Sequence, residues 1–188
     1  MRRADFKRKS RVIVVDDNYD HASGIRELIN LEQDYEVIAN AGNVNVAISL
    51  IKKYQPDIVL MDINMPEIDG ITAISEIEKL GLKTKIIALT GYDDADLIYR
   101  AMKIGAKGYI LKTMASAQLI RALDEVTMGK IYLPSVLCSK FFEYFQAAER
   151  NEKAYNAADD EENLLNYLTN REEEVLGLLT EGITYKGV

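Results

Sequence analysis

Residues 57–70, DIVLMDINMPEIDG, run an unbroken apolar stretch into Asp62 and then break into a loop bearing Pro66 and Gly70. A short apolar run bounded by turn residues reads as a strand buried on both faces. Four more runs share this character: VIVVDD (12–17), YEVIANA (35–41), KIIALTG (85–91) and KGYILK (107–112). Between them apolar residues recur at three- and four-residue spacing, as in Ile25, Leu28, Ile29 and in Val46, Ile48, Leu50, Ile51. The same spacing returns in Ile71, Ile74, Ile77, in Leu97, Ile98, Met102 and in Leu119, Ile120, Leu123, Val126. Such spacing marks one face of a helix. Strand and helix therefore alternate, and strands that are apolar on both faces predict a parallel sheet covered on both sides.

Right-handed crossovers narrow the topology to an α/β fold, a five-stranded doubly wound parallel sheet of flavodoxin-like order 2-1-3-4-5. The reading divides the chain into a basic N-terminal arm (1–10), the α/β domain (11–131), a helical and then acidic linker (132–163) and a C-terminal piece (164–188). Pro134 is placed to open the linker helix. With 188 residues and 48% hydrophobic content the chain can bury one full core. No run approaches the roughly 18–20 apolar residues that span a bilayer, and VIVV after the basic start is too short for a signal-peptide core. A cytoplasmic protein without membrane contact is the expectation. The single cysteine, Cys138, rules out an internal disulfide framework and reads as a small apolar residue on a helix face. The lone histidine, His21, has no Cys or second His to make a transition-metal site, and is read as a surface residue.

Net charge is -7, unevenly spread. Residues 1–11 carry six Lys or Arg against Asp5, a balance of +5, whereas residues 149–188 carry ten acidic against four basic side chains, a balance of -6. The acidic end alone should repel nucleic acid.

In the expected topology the C-terminal ends of the strands converge. Asp16 and Asp17 end the first strand, Asp62 the third, Thr90 the fourth and Lys112 the fifth. The first and third strands flank the switch point of a 2-1-3-4-5 sheet, where open α/β folds bind ligands. Asp16 or Asp17 alone could simply cap the helix that follows. Three carboxylates crowded together, however, repel one another and call for a cation. Ligands that are all oxygen, in a shallow crevice, point to Mg²⁺. A cation beside Asp62 would neutralise an incoming phosphoryl group and let Asp62 act as a nucleophile. Lys112 would hold a phosphate oxygen from the other side, and Thr90 would offer a hydroxyl.

The joint pattern of DD at 16–17, D-x-x-M-P at 62–66 with D-G at 69–70, Thr90, and Y-I-L-K at 109–112 resembles the receiver domain of bacterial two-component response regulators. The resemblance covers roughly residues 11–131. It implies that Asp62 accepts phosphate from a sensor histidine kinase. It also implies that Asp16 and Asp17 hold Mg²⁺ with help from the Asn64 carbonyl, and that Tyr109 changes rotamer together with Thr90. The domain is then a phosphoacceptor rather than an enzyme, with at most slow self-catalysed phosphorylation and dephosphorylation, and a phosphorylation-dependent homodimer is possible.

The tail LTNREEEVLGLLTEGITYKGV resembles the opening of the helix-turn-helix domain of NarL/FixJ/LuxR-type regulators. Thr169 and Glu172 have capping-box spacing, Val175, Leu176, Leu178 and Leu179 form an apolar stripe, and Gly182 stops the helix. A helix-turn-helix reads bases with its second helix, and the chain stops at Val188 before one. The expected DNA-binding domain is thus incomplete, with DNA contact only through its missing part. The alternative is a stand-alone receiver acting through protein contacts. A phosphohydrolase would need a carboxylate two residues after its nucleophile, where Asn64 stands. A nucleotide or flavin carrier would need a Gly-rich loop after the first strand, where the first glycine is Gly24.

Overall fold

The computed structural model describes residues 8–66 and 70–156, with residues 149–156 as backbone only. Five strands, β1 (Ser10–Val15), β2 (Tyr35–Ala41), β3 (Ile58–Asp62), β4 (Lys85–Thr90) and β5 (Gly108–Leu111), form one parallel sheet in the order β2-β1-β3-β4-β5. Helices α1 (Tyr19–Asn30), α2 (Val44–Tyr54), α3 (Gly70–Glu78), α4 (Ala95–Lys103) and α5 (Ser116–Thr127) supply the crossovers, and α6 (Ser135–Asn156) follows. The expected topology is the observed one.

Side chains alternate across a strand, so each strand feeds two cores. Ile13, Val15, Val59, Met61, Ile86 and Ala88 face α2, α3 and α4, where they meet Ala47, Ile51, Ile74, Ile98 and Met102. Val12, Val14, Ile58, Leu60, Ile87 and Leu89 face α1 and α5, where they meet Ile25, Ile29, Leu119 and Leu123. Both faces are dry because both are covered, which is why the strands lack polar alternation. The β1–β2 register shifts between Val12 and Ile13, adding one residue to β2 there.

The helix faces depart from the expected ones in detail. In α2 the buried residues are Val44, Ala47 and Ile51, with Ile48 and Leu50 partly buried against the core; of the expected stripe only Val46 is exposed, because the helix starts at the Asn43 cap and turns that position outward. Gly129, at φ 85°, ends α5: its N–H donates to the Val126 carbonyl and that of Lys130 to the Glu125 carbonyl. These paired bonds close the helix with a left-handed residue that glycine adopts without a Cβ penalty.

The segment read as linker opens as α6, with the Pro134 carbonyl accepting from the N–H groups of Leu137 and Cys138. Leu137, Phe141 and Phe145 are buried, and Phe141 and Phe145 join Tyr99 of α4 in an aromatic cluster. The Tyr144 hydroxyl donates to Asp96 at 2.7 Å, and Lys140 pairs with Asp93. Cys138 is half-buried on this helix, and burial pushes its thiol up. Most of the N-terminal arm, Asp69, the acidic end of the linker and the helix-turn-helix-like tail lie outside the described residues.

Candidate functional site

The site residues sit where strands end, and backbone bonds to neighbouring strands fix them there. Asp16 directly follows β1, and its N–H donates to Ala41 at 2.9 Å. Ile63, the residue after Asp62, donates to Leu89 at 2.9 Å, and Lys112 donates to Thr90 at 2.7 Å. The ladder thus continues one residue past each strand and sets the side chains on a rigid rim. Gly70 lies so close to the end of β3 that a Cβ there would stand 2.3 Å from Ile63 Cα and 2.8 Å from the Asp62 carbonyl oxygen. Only glycine fits that approach, which accounts for the glycine at 70.

Asp16 and Asp62 are 2% and 1% exposed, and Asp17 faces solvent beside them. One carboxylate oxygen from each of the three lies within 4.8 Å of the others. The Lys112 ammonium bridges the two buried ones, at 2.9 Å from Asp16 Oδ2 and 2.7 Å from Asp62 Oδ2. Asp16 Oδ1 accepts the Asn18 N–H and Asp62 Oδ1 accepts the Asn64 N–H, both at 2.9 Å. Burial pushes the Asp16 carboxyl up, but the Lys112 ammonium, the His21 ring and the Asn18 N–H outweigh it, and the net shift is downward. Burial likewise pulls Lys112 down while Asp16 and Asp62 raise it by more. The site thus sets one ammonium against two buried carboxyl groups, with a third at the rim.

That residual negative charge and the all-oxygen donor set fit a hard divalent cation, with Asp17 on the open side where a hydrated ion would keep its waters. Thr90 is fully buried, and its hydroxyl donates to Asn64 Oδ1 at 2.7 Å while accepting the Tyr92 N–H at 3.0 Å. Tyr109 is also fully buried, and its hydroxyl donates to the Tyr92 carbonyl at 3.2 Å, with burial pushing its pKa up to about 12. The structure thus brings Asp16, Asp17, Asp62, Asn64, Thr90 and Lys112 to one rim, and ties Tyr109 to it through Tyr92.

Two participants were not found by reading the sequence. Asn18, rather than Asp16 or Asp17, caps α1, its side chain accepting the His21 N–H at 3.0 Å. His21 is not the surface residue expected: its Nδ1 lies 2.5 Å from Asp16 Oδ2 and its side chain is about a third exposed. The available signal was Asn18 itself, a preferred cap that starts the helix one residue after the carboxylate pair and turns position 21 back over Asp16.

Comparison with known proteins agrees with this geometry. Residues 12–124 match the family model of the response regulator receiver domain. Over 179 residues the chain is 32% identical to the transcriptional regulatory protein DegU of Brevibacillus brevis, covering 93% of this chain and 76% of that one. It is 31% identical to the oxygen regulatory protein NreC of Staphylococcus aureus, covering 95% of this chain and 80% of that one. A crystal structure of a LuxR-family two-component response regulator from Aurantimonas sp. SI85-9A1 superposes with a TM-score of 0.69 at 28% identity, over 72% of this chain and 97% of that one. With its carboxylates, threonine and lysine gathered at the strand ends of a 2-1-3-4-5 sheet, the chain belongs to the two-component response regulators of the NarL/LuxR type, and residues 12–124 are its receiver domain.

Proposed function

We infer that Asp62 accepts a phosphoryl group from a sensor histidine kinase in the presence of Mg²⁺, and that the modified receiver controls transcription through a LuxR-type DNA-binding segment. The Lys112 bridge carries this reading, because its ammonium, 2.7 Å from Oδ2, pairs with a nearly water-free Asp62 and orients it at the mouth of the crevice. An Asp62 oxygen attacks phosphorus as the P–N bond to the kinase imidazole breaks. The nitrogen leaves with the electron pair, and an acyl phosphate remains on Asp62. Asp16, Asp17 and Asp62, with the Asn64 carbonyl, would hold Mg²⁺, which when bound neutralises charge on the transferring group.

Lys112 starts 2.7 Å from the Asp62 oxygen, so its flexible stem can follow the new phosphoryl oxygens by releasing Asp16. Thr90 turns from Asn64 to the same group and takes with it the acceptor of the Tyr92 N–H. Tyr109, bonded to the Tyr92 carbonyl, responds next, and the face formed by α4, β5 and α5 shifts toward a state that favours homodimers. Asn64 stands where a phosphohydrolase would place its general acid, so the adduct is long-lived relative to enzymatic turnover. Support for a transcriptional output comes from the match to a transcriptional regulatory protein over 93% of this chain.

The test is incubation with acetyl phosphate and Mg²⁺ followed by intact-mass measurement. One phosphoryl adduct is expected, and it should be absent in Asp62→Asn and in chelator-treated protein. An adduct that persists in Asp62→Asn would place the chemistry elsewhere.

A further inference from the structure

Asp16 is held by three donors that differ in their commitments. The Asn18 N–H on Oδ1 is part of the turn that starts α1. The Lys112 ammonium on Oδ2 is shared with Asp62. The His21 ring on the same Oδ2, 2.5 Å away, bonds no other side chain among the described residues. A carboxylate facing Nδ1 accepts, so Nδ1 carries the proton. The His21 backbone is fixed as well, since its N–H is taken by the Asn18 side chain.

We propose that His21 is a positioning residue for the divalent-cation site: its bond to Oδ2 keeps the Asp16 carboxylate oriented toward the cation before transfer, and goes on holding it when Lys112 moves away to the phosphoryl group. The proposal rests on the phosphoacceptor reading. As Lys112 leaves, the 2% exposed Asp16 loses its ammonium partner and has little water to replace it. Among the described residues His21 is then the remaining side-chain donor on Oδ2, and it prevents the carboxylate from swinging off the cation. Hydrogen bonds behind a ligating carboxylate fix its rotamer in this way, and losing one typically weakens metal binding about 10- to 100-fold. The whole arrangement is local, spanning Asp16 to His21, so it needs no movement of the sheet or of the β3–α3 loop.

The experiment titrates Mn²⁺ into the unphosphorylated chain at one fixed pH, reading free Mn²⁺ by its electron paramagnetic resonance signal. Wild type is compared with His21→Ala and His21→Asn, the latter retaining an N–H donor near the Nδ1 position. Phosphorylation by acetyl phosphate is followed in parallel over a range of Mg²⁺. His21→Ala should bind Mn²⁺ about tenfold more weakly, and its half-saturating Mg²⁺ should rise in step while the rate at saturating Mg²⁺ stays near wild type. His21→Asn should recover most of both. A merely structural role would lower thermal stability and leave the Mg²⁺ dependence in place. If wild type binds Mn²⁺ and forms the Asp62 adduct while His21→Ala has unaltered affinity, the proposal alone is overturned. If wild type takes up no Mn²⁺ and forms no adduct, the phosphoacceptor reading fails and the proposal with it.

Discussion

Lys112 places one ammonium against two carboxylates that have almost no contact with water, and that imbalance decides what its removal would do. Breaking a buried ion pair from one side leaves an uncompensated charge, which costs more than the intact pair gains. Lys112→Met should therefore lower the unfolding free energy by about 3 kcal/mol, the lower part of the range for buried pairs because the lysine side chain is itself partly exposed. Mg²⁺ should restore more stability to this variant than to wild type, since a ligand that binds only the folded state stabilises it by mass action. Urea unfolding with and without Mg²⁺ checks both points, and equal midpoints for the two chains would contradict them. At this scale the sequence discloses the residues whose position depends only on the end of an apolar run: Asp16, Asp62, Thr90 and Lys112 all do. It does not disclose contacts that depend on how a loop turns. The Thr90 hydroxyl on Asn64 and the His21 ring on Asp16 both require knowing where the chain bends after the strand.

Helix α6 is attached to α4 and to the loop before it by contacts of unequal worth, among them the Tyr144 hydroxyl on Asp96. The Lys140–Asp93 pair is exposed on both sides, and such pairs contribute on the order of 0–1 kcal/mol. Phe141 is 3% exposed and packs against Tyr99 and Phe145, and truncating a buried Phe typically costs about 3–5 kcal/mol. The aromatic seam therefore holds the helix. Phe141→Ala should destabilise the chain by about 3 kcal/mol in urea, whereas Val136→Ala, at an exposed position on the same helix, should change it by no more than about 0.5 kcal/mol. Similar losses for both would mean that α6 is held by its length rather than its aromatic face. The seam also sits beside the loop that links Thr90 to α4, because Lys140 bonds the Asp93 carbonyl and the preceding Tyr92 carbonyl receives Tyr109. The sequence marks the opening of α6 through Pro134, but not its docking. FFEYF has aromatic residues on successive turns, and only the position of Tyr99 on α4 shows which of them turn inward.

For the whole molecule, strand order was legible because parallel strands with helical crossovers admit few arrangements, while helix faces such as that of Val46 were not, since a shift of one residue at the cap rotates the face by about 100°. The same distinction between long-range and local causes applies to stability against pH. With a sequence pI near 4.9 and a net charge of -7 at pH 7, acidification first discharges the surface, which promotes association without unfolding. Loss of the fold follows from the buried site instead. Asp16 is held below its ordinary 3.8: burial opposes this, and Lys112, His21 and Asn18 together prevail. A depressed carboxyl contributes stability that is complete above its unfolded value and is lost as the pH falls through the lower folded value. Lys112 is raised above 10.5, burial again opposing and the two carboxylates prevailing, so its contribution is complete below that value and lost only as the pH rises past the folded one. The contribution of the ion group to stability is thus flat between these limits and falls away outside them. The urea midpoint of wild type should drop as the pH goes below about 4, and Asp16→Asn, which has no carboxyl to protonate there, should show a shallower acid limb. If the two acid limbs run parallel, the acid sensitivity belongs to the dispersed surface carboxylates rather than to the crevice.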